Sequence, residues 1–215
     1  MGLTLIEMPY KNKAYKPQKG CYYHIYGKGL NDAQIYSDHD DYALFLYLLK
    51  KYLTPDYMEE RSVNGRRMKL PVNSVAYEVN LFCYCLMPTH FHLLVENLEN
   101  AGISNLMKRV VTLYSSFFNS KYGRQGTLLQ GGYRAVLLSN ENQFVYVSRY
   151  IHLNPIKANL SKKAINYRYS SYVNYLEKKC LPWLILNPRL LEATDYADIE
   201  TYLVDIEDNP KEGIL

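Results

Sequence analysis

The sequence predicts an α+β fold: a ferredoxin-like βαββαβ antiparallel sheet with helices on one face. A third helix carrying a tyrosine and a C-terminal extension follow it. Two observations predict this. Segments with strand-like and helix-like patterning follow the order strand, helix, strand, strand, helix, strand between Cys21 and Leu138, which is the split-βαβ arrangement. The second helical segment also keeps a 3.6-residue apolar period through Ile103, Leu106, Met107, Val110, Tyr114 and Phe117, too long for any strand.

The elements follow in order. "CYYHIYGKG" (Cys21–Gly29) is a strand closed by glycines. Ser37 or Asp38 can cap a helix from Asp40 to about Leu53, with Phe45, Leu46, Leu49 and Leu53 on one face. The stretch 54–74 is polar and broken by proline and glycine, and is expected to be an exposed loop or excursion. "VAYEVNLFCYCLM" (Val75–Met87) is strand-like, and Pro88-Thr89 turns the chain into a further strand containing His90 and His92. The second helix spans roughly 101–119, "GRQGTLLQGG" is a loop, and Tyr133–Leu138 is the fourth strand. The third helix opens at Ser139 or Asn140 and runs to about Asn154, before Pro155. The chain divides into 1–160, which carries the functional residues, and 161–215, an acidic, tyrosine-bearing extension packed on the same domain and helical in parts.

Composition bounds the function. No apolar run approaches the ~20 residues that cross a bilayer, and the N-terminus lacks a signal-peptide core. Cys21, Cys83, Cys85 and Cys180 form no dense secreted framework, so reduced thiols and a cytoplasmic location are expected. No membrane partner is expected. The net charge of +4 hides a strong segregation. Residues 101–180 hold 12 Lys and Arg against only Glu141 and Glu177, whereas residues 181–215 hold 2 basic and 8 acidic groups. A basic middle of this kind suits a polyanion, although a solvated lysine surface would look the same. Tyrosine supplies 23 of 215 residues, and its ring can stack on unpaired bases, but most must be structural.

One stretch carries chemistry. In "LMPTHFHLLV", alternation puts His90 and His92 on one strand face and Phe91, Leu93 and Val95 on the other. In "VSRYIHLNPIKANL", Tyr150 and Asn154 are four apart and share a helical face. A helix laid on the histidine face would give a divalent metal two imidazole nitrogens and one amide oxygen, with positions left open. A phosphate polarised there is within the reach of a tyrosine hydroxyl that is otherwise a poor nucleophile. Bland readings stand beside this one. His90 and His92 alone could be core histidines, and His24, His39 and His152 are expected to be structural. Cys83 and Cys85 could instead join His90 and His92 in a structural zinc site. A two-residue turn at Pro88-Thr89 would set Cys85 opposite His92 and keep that possibility; a three-residue turn would put both sulfurs on the other face.

"MPTHFHLLVE" and "RYIHLNPIKANL" together resemble the single-tyrosine HUH transposases, most of all the REP-associated tyrosine transposases. The likeness runs from the first strand to about Tyr175, through "LMKRVVTLYSSFFNSKYGRQGTLLQGGYRAVLL" and "YRYSSYVNYL". It implies that His90, His92 and Asn154 hold Mg²⁺ or Mn²⁺ and that Tyr150 is the catalytic nucleophile. Tyr150 would cleave and rejoin single-stranded DNA through a 5′-phosphotyrosine, acting at hairpin ends. The resemblance favours the three-residue turn and assigns Tyr146, one turn before Tyr150, to packing or base stacking. Lys108, Arg109, Lys121, Arg124, Arg134, Arg149 and Lys157 form the expected DNA-binding set. Relatives commonly carry arginine where Gly132 stands, which would shift a phosphate contact to Arg134. A non-catalytic DNA- or RNA-binding module on the same fold is the alternative, and monomer and homodimer both remain open.

Overall fold

The structure, a computed structural model, describes residues 16–193. Four strands form one antiparallel sheet: β1 (Cys21–Gly29), β4 (Val79–Met87), β5 (His90–Asn97) and β6 (Leu129–Leu137), in the spatial order β4-β5-β1-β6. Helices α1 (His39–Leu53) and α2 (Gly102–Lys121) supply the two crossovers and pack together on one face. This is the βαββαβ arrangement read from the sequence. The face is apolar because Tyr23 and Ile25 of β1 and Phe91, Leu93 and Val95 of β5 point into it, meeting Phe45, Leu49, Leu106 and Val110 of the helices.

Local chemistry sets where the helices begin and meet. The Asp38 side chain accepts from Asp41 N–H at 3.1 Å, and the Asp41 carboxylate accepts in turn from Asp38 N–H at 3.2 Å and Ser37 N–H at 2.7 Å. This reciprocal cap starts α1. Lys121 at the end of α2 reaches the same carboxylates, at 2.7 Å from Asp38 and 2.9 Å from fully buried Asp41. The start of one helix is thereby tied to the end of the other.

The stretch 54–74 is not a plain loop. It contains a separate β-hairpin of β2 (Met58–Val63) and β3 (Arg66–Pro71). Asn64 and Gly65 connect the strands with φ of 51° and 77°, the left-handed pair that a two-residue hairpin turn needs. Glu59 fastens the hairpin to α1, accepting from Lys51 at 2.5 Å and Tyr47 at 2.9 Å.

The turn between β4 and β5 also departs from expectation. Met87 pairs with His90, so the turn is the two residues Pro88 and Thr89, and Cys85 lies opposite His92. The cause is upstream. The register shifts between Leu81 and Cys83, and such an extra residue reverses which face the following side chains take. Leu81 packs with α1 and α2, whereas Phe82, Cys83, Cys85 and Met87 face the other side.

That other side receives α3 (Glu141–Lys157), capped by Asn140, whose side chain accepts from Gln143 N–H at 2.9 Å. Phe144, Val147 and Ile151 of α3 pack on Cys83, Cys85, Met87 and Leu94, making a third layer. Pro155 sits inside the last turn and the helix continues to Lys157, three residues beyond the end at Asn154 that the proline suggested. α4 (Tyr172–Leu176) and α5 (Pro188–Ala193) follow. The segment before α4 covers the outer edge of β4: Leu86 N–H donates to the Tyr169 carbonyl, and Ser171 N–H to that of Tyr84, both at 3.0 Å. Most of the acidic tail lies outside the described residues.

Candidate active site

Three elements meet on the α3 side of the sheet. From β5 come His90 and His92; from β1 come His24 and Tyr26, with Tyr26 directly opposite His92 and His24 two pairs further along, opposite Leu94. From α3 come Tyr150 and Asn154. Because α3 packs on its own sheet, one chain brings this set together.

The Tyr150 ring lies edge-on to two imidazoles, with centroids 5.5 Å from His92 and 6.0 Å from His24. The His90 and His92 rings are 4.8 Å apart and nearly perpendicular. Asn154 donates from its amide to the Tyr150 carbonyl at 2.7 Å, holding the side chain along the helix beside that tyrosine. Lys157 places its ammonium 5.0 Å from the centre of the Tyr150 ring.

The imidazoles are held neutral. Burial pushes His24 down to about 4, and burial followed by the neighbouring His24 and His90 puts His92 well below its usual value. His90 is lowered by burial and then by Lys28, with Asp32 opposing. Neutral rings leave lone pairs for a cation. The Tyr150 phenol is raised by burial; a hydrogen bond with the Asn154 side chain opposes this, and Tyr146 and Tyr26 add to it. Its hydroxyl therefore needs help to ionise at neutral pH.

The residues fit a divalent cation in one specific respect. His92 Nδ1 is engaged by His24 Nε2 at 2.9 Å, but His92 Nε2 is buried with no partner. A buried polar atom without a partner is rare in a folded protein, and an imidazole nitrogen is a good ligand for such a cation. His90 keeps one nitrogen against the Thr89 hydroxyl at 3.0 Å. Among the described residues, no three His, Cys, Asp or Glu side chains cluster to hold a metal. The expected third donor, Asn154, is an amide and falls outside that set, and the two-cysteine zinc alternative lacks its cluster even though the register permits it.

The expected DNA-binding residues separate. Arg134 is exposed on β6, paired with Tyr26 and so beside the histidine face; Lys157 is exposed on α3, and Arg149 lies one residue before Tyr150. Lys108 and Arg109 lie on α2, across the sheet, where Arg109 donates to the Asn73 carbonyl and covers the Tyr52 ring. Lys121 is committed to Asp38 and Asp41, and Arg124 rests on the Phe118 ring. Sequence reasoning set His24 aside as structural. Its alternation toward the histidine face was legible, but its partnership with His92 depends on pairing between distant strands.

Residues 68–154 match the family described as transposase IS200 like. The matched segment runs from β3 to Asn154 and includes His90, His92 and Tyr150; His24 lies outside it. Among solved structures, a REP-associated tyrosine transposase bound to a REP hairpin aligns with a TM-score of 0.54 at 13% identity. The alignment covers 82% of this chain and 91% of that one. At this identity the likeness is one of fold. Two complexes of a bacterial tRNA(His) guanylyltransferase-like protein, with GTP and with ATP, align at 14% identity. They cover 71% and 66% of this chain and 72% and 61% of theirs, and the TM-score of 0.36 is too low to carry an argument. No curated protein matches the sequence. Among the described residues, no helix is long and apolar enough to cross a membrane.

Proposed function

We propose that this protein is an IS200-like transposase that cleaves and rejoins single-stranded DNA next to hairpins, with Tyr150 as nucleophile and Mg²⁺ or Mn²⁺ held by His90, His92 and Asn154. The observation that carries the reading is the partnerless, buried Nε2 of His92 with the Tyr150 ring centred 5.5 Å from its own.

When bound, the cation supplies positive charge to a phosphate oxygen and eases attack on phosphorus. Tyr150 Oη forms a bond to phosphorus while the bond from phosphorus to the 3′ oxygen breaks. The phenolic proton leaves to solvent, and the departing 3′ oxygen takes up a proton to become a 3′ hydroxyl. The DNA 5′ end is then an ester of Tyr150. Rejoining reverses each change, with a 3′ hydroxyl attacking the phosphotyrosine. Lys157 holds positive charge beside the phenol, and the Asn154 side chain hydrogen-bonds it. Tyr26 and Arg134, paired across β1 and β6 beside the histidines, offer a ring to an unpaired base and a guanidinium to a phosphate.

Incubation with end-labelled hairpin oligonucleotides carrying single-stranded flanks, with Mn²⁺, tests this. A denaturation-resistant protein–DNA adduct and a freed 3′-hydroxyl fragment are expected. Binding without any adduct would leave the non-catalytic module as the correct reading.

A further inference from the structure

The histidine that the family match leaves out has the closest contact to the candidate metal site. His24 Nε2 and His92 Nδ1 are 2.9 Å apart, and the stacked rings have centroids 5.1 Å apart. Both side chains are almost fully buried, at 4% and 5% exposure. Neither ring can drift. Tyr23 and Ile25 on either side of His24 are locked at 0% exposure in the opposite core, and so are Phe91 and Leu93 beside His92. A one-residue slip of β1 would put His24 into that apolar core.

Two neutral imidazoles facing each other share one proton. If the His24 nitrogen carries it, His92 is protonated on Nε2 and buries a donor with no acceptor. If the His92 nitrogen carries it, Nε2 is a bare lone pair, which a cation requires. His92 Nδ1 then donates to His24. Ligand histidines ordinarily need such an acceptor on their far nitrogen to fix tautomer and orientation.

We propose that His24 is a positioning residue that accepts a hydrogen bond from His92 Nδ1 and so holds His92 Nε2 ready for the divalent cation. This rests on the metal reading above and extends it to β1, whose register sets His24 against the ring. The cation-holding set then reaches across two strands and a helix, with an imidazole in the role that a carboxylate or carbonyl more often fills.

The test uses the full chain with ¹⁵N-labelled histidine and three readouts. Imidazole ¹⁵N spectra of metal-free wild-type protein report the His92 tautomer, Mn²⁺ titration followed by electron paramagnetic resonance reports affinity, and thermal unfolding reports folding. His92 is expected as the Nδ1–H tautomer. His24→Phe keeps a ring but removes the acceptor, and should weaken Mn²⁺ binding about 10- to 100-fold. His24→Gln restores an acceptor oxygen and should recover most of that loss. Wild-type His92 protonated on Nε2 would overturn the assignment, as would undiminished Mn²⁺ binding in His24→Phe. Equal losses in the Phe and Gln variants would reduce His24 to packing. Should His24→Phe fail to fold, the wild-type tautomer and the Gln variant decide. Wild-type protein that shows the Nδ1–H tautomer yet binds no Mn²⁺ would sink the metal reading itself, and the assignment with it.

Discussion

Lys157 rests its ammonium 5.0 Å from the centre of the Tyr150 ring. The contact exists because α3 runs through Pro155 to Lys157. Proline removes one N–H, but near a helix end that loss is small, and residues seven apart stay on one face two turns along. A cation there favours the phenolate against the burial that raises the phenol. Lys157→Ala should slow adduct formation by on the order of tenfold, as expected from losing ~1 kcal/mol of interaction. It should also move the alkaline limb of the pH–rate profile upward, because the phenol becomes harder to ionise. Lys157→Arg should keep most of the rate. Single-turnover adduct formation between pH 6 and 10 measures this, and superimposable profiles for wild type and Lys157→Ala would remove Lys157 from the chemistry.

Tyr150→Phe removes only the attacking oxygen. The variant should bind hairpin DNA and Mn²⁺ as wild type does, yet give no adduct and no 3′-hydroxyl fragment. Tyr146, one turn earlier, is the control: Tyr146→Phe should keep the adduct. Mass mapping of the DNA-linked peptide decides between the two rings, and an adduct on a peptide lacking Tyr150 would disprove the assignment.

Much of this site was legible in the sequence because it rests on local spacing. His90 and His92 alternate on one strand, and Tyr150 and Asn154 share one helical face. What failed was non-local or masked by burial. β4 is apolar on both faces, so "LFCYCLM" has no alternation to betray the register shift at Phe82, and Cys85 landed opposite His92 instead of away from it. The β2–β3 hairpin was signalled by Asn64-Gly65, but its charged, exposed arms lack the apolar alternation that marks a strand. His24 was visible on the correct face, but its partner is set by β1–β5 pairing across 68 residues.

The position of Cys85 beside His92 gives a sharp metal test. Burial raises both the Cys83 and Cys85 thiols well above their ordinary range, so neither readily becomes the thiolate that zinc prefers. Cys83→Ser with Cys85→Ser should leave Mn²⁺-dependent cleavage within a few-fold of wild type. His90→Ala and His92→Ala should each abolish it, and excess chelator should silence the wild type. Tight zinc that survives His90→Ala and is lost in the double serine variant would establish a cysteine-based site instead.

The basic residues should divide into two classes. Arg134 beside Tyr26 faces the site, so Arg134→Ala should weaken hairpin binding and reduce its salt dependence by about one counterion. Lys121 bonds Asp38 and fully buried Asp41, so Lys121→Ala should lower the thermal midpoint through an uncompensated buried carboxylate. Its salt slope for DNA should be unchanged. Filter binding across a salt series alongside thermal melts separates the classes, and a reduced slope in Lys121→Ala would contradict the division.

Acid should weaken the fold before it protonates the carboxylates. His152 of α3 is 1% exposed, its Nε2 2.8 Å from the Ser171 hydroxyl, and burial pushes it down to about 3 from 6.5. Between those values the unfolded chain carries the proton and the folded one does not, so stability falls as pH drops through that window. Above 6.5 both states are neutral and the term vanishes. One such proton gives a slope of ~1.4 kcal/mol per pH unit at most. His24, pushed to about 4, acts in the same direction. Glu59 works differently: Lys51 holds it down to about 2, so its contribution is lost only as pH falls below about 4.5. The interval from 6.5 to 4.5 therefore isolates the histidines. His152→Gln offers Ser171 an amide with nothing to titrate, and should flatten the fall in urea midpoint over that interval relative to wild type. Parallel urea-midpoint curves for the two proteins would show that His152 is not held neutral by the fold.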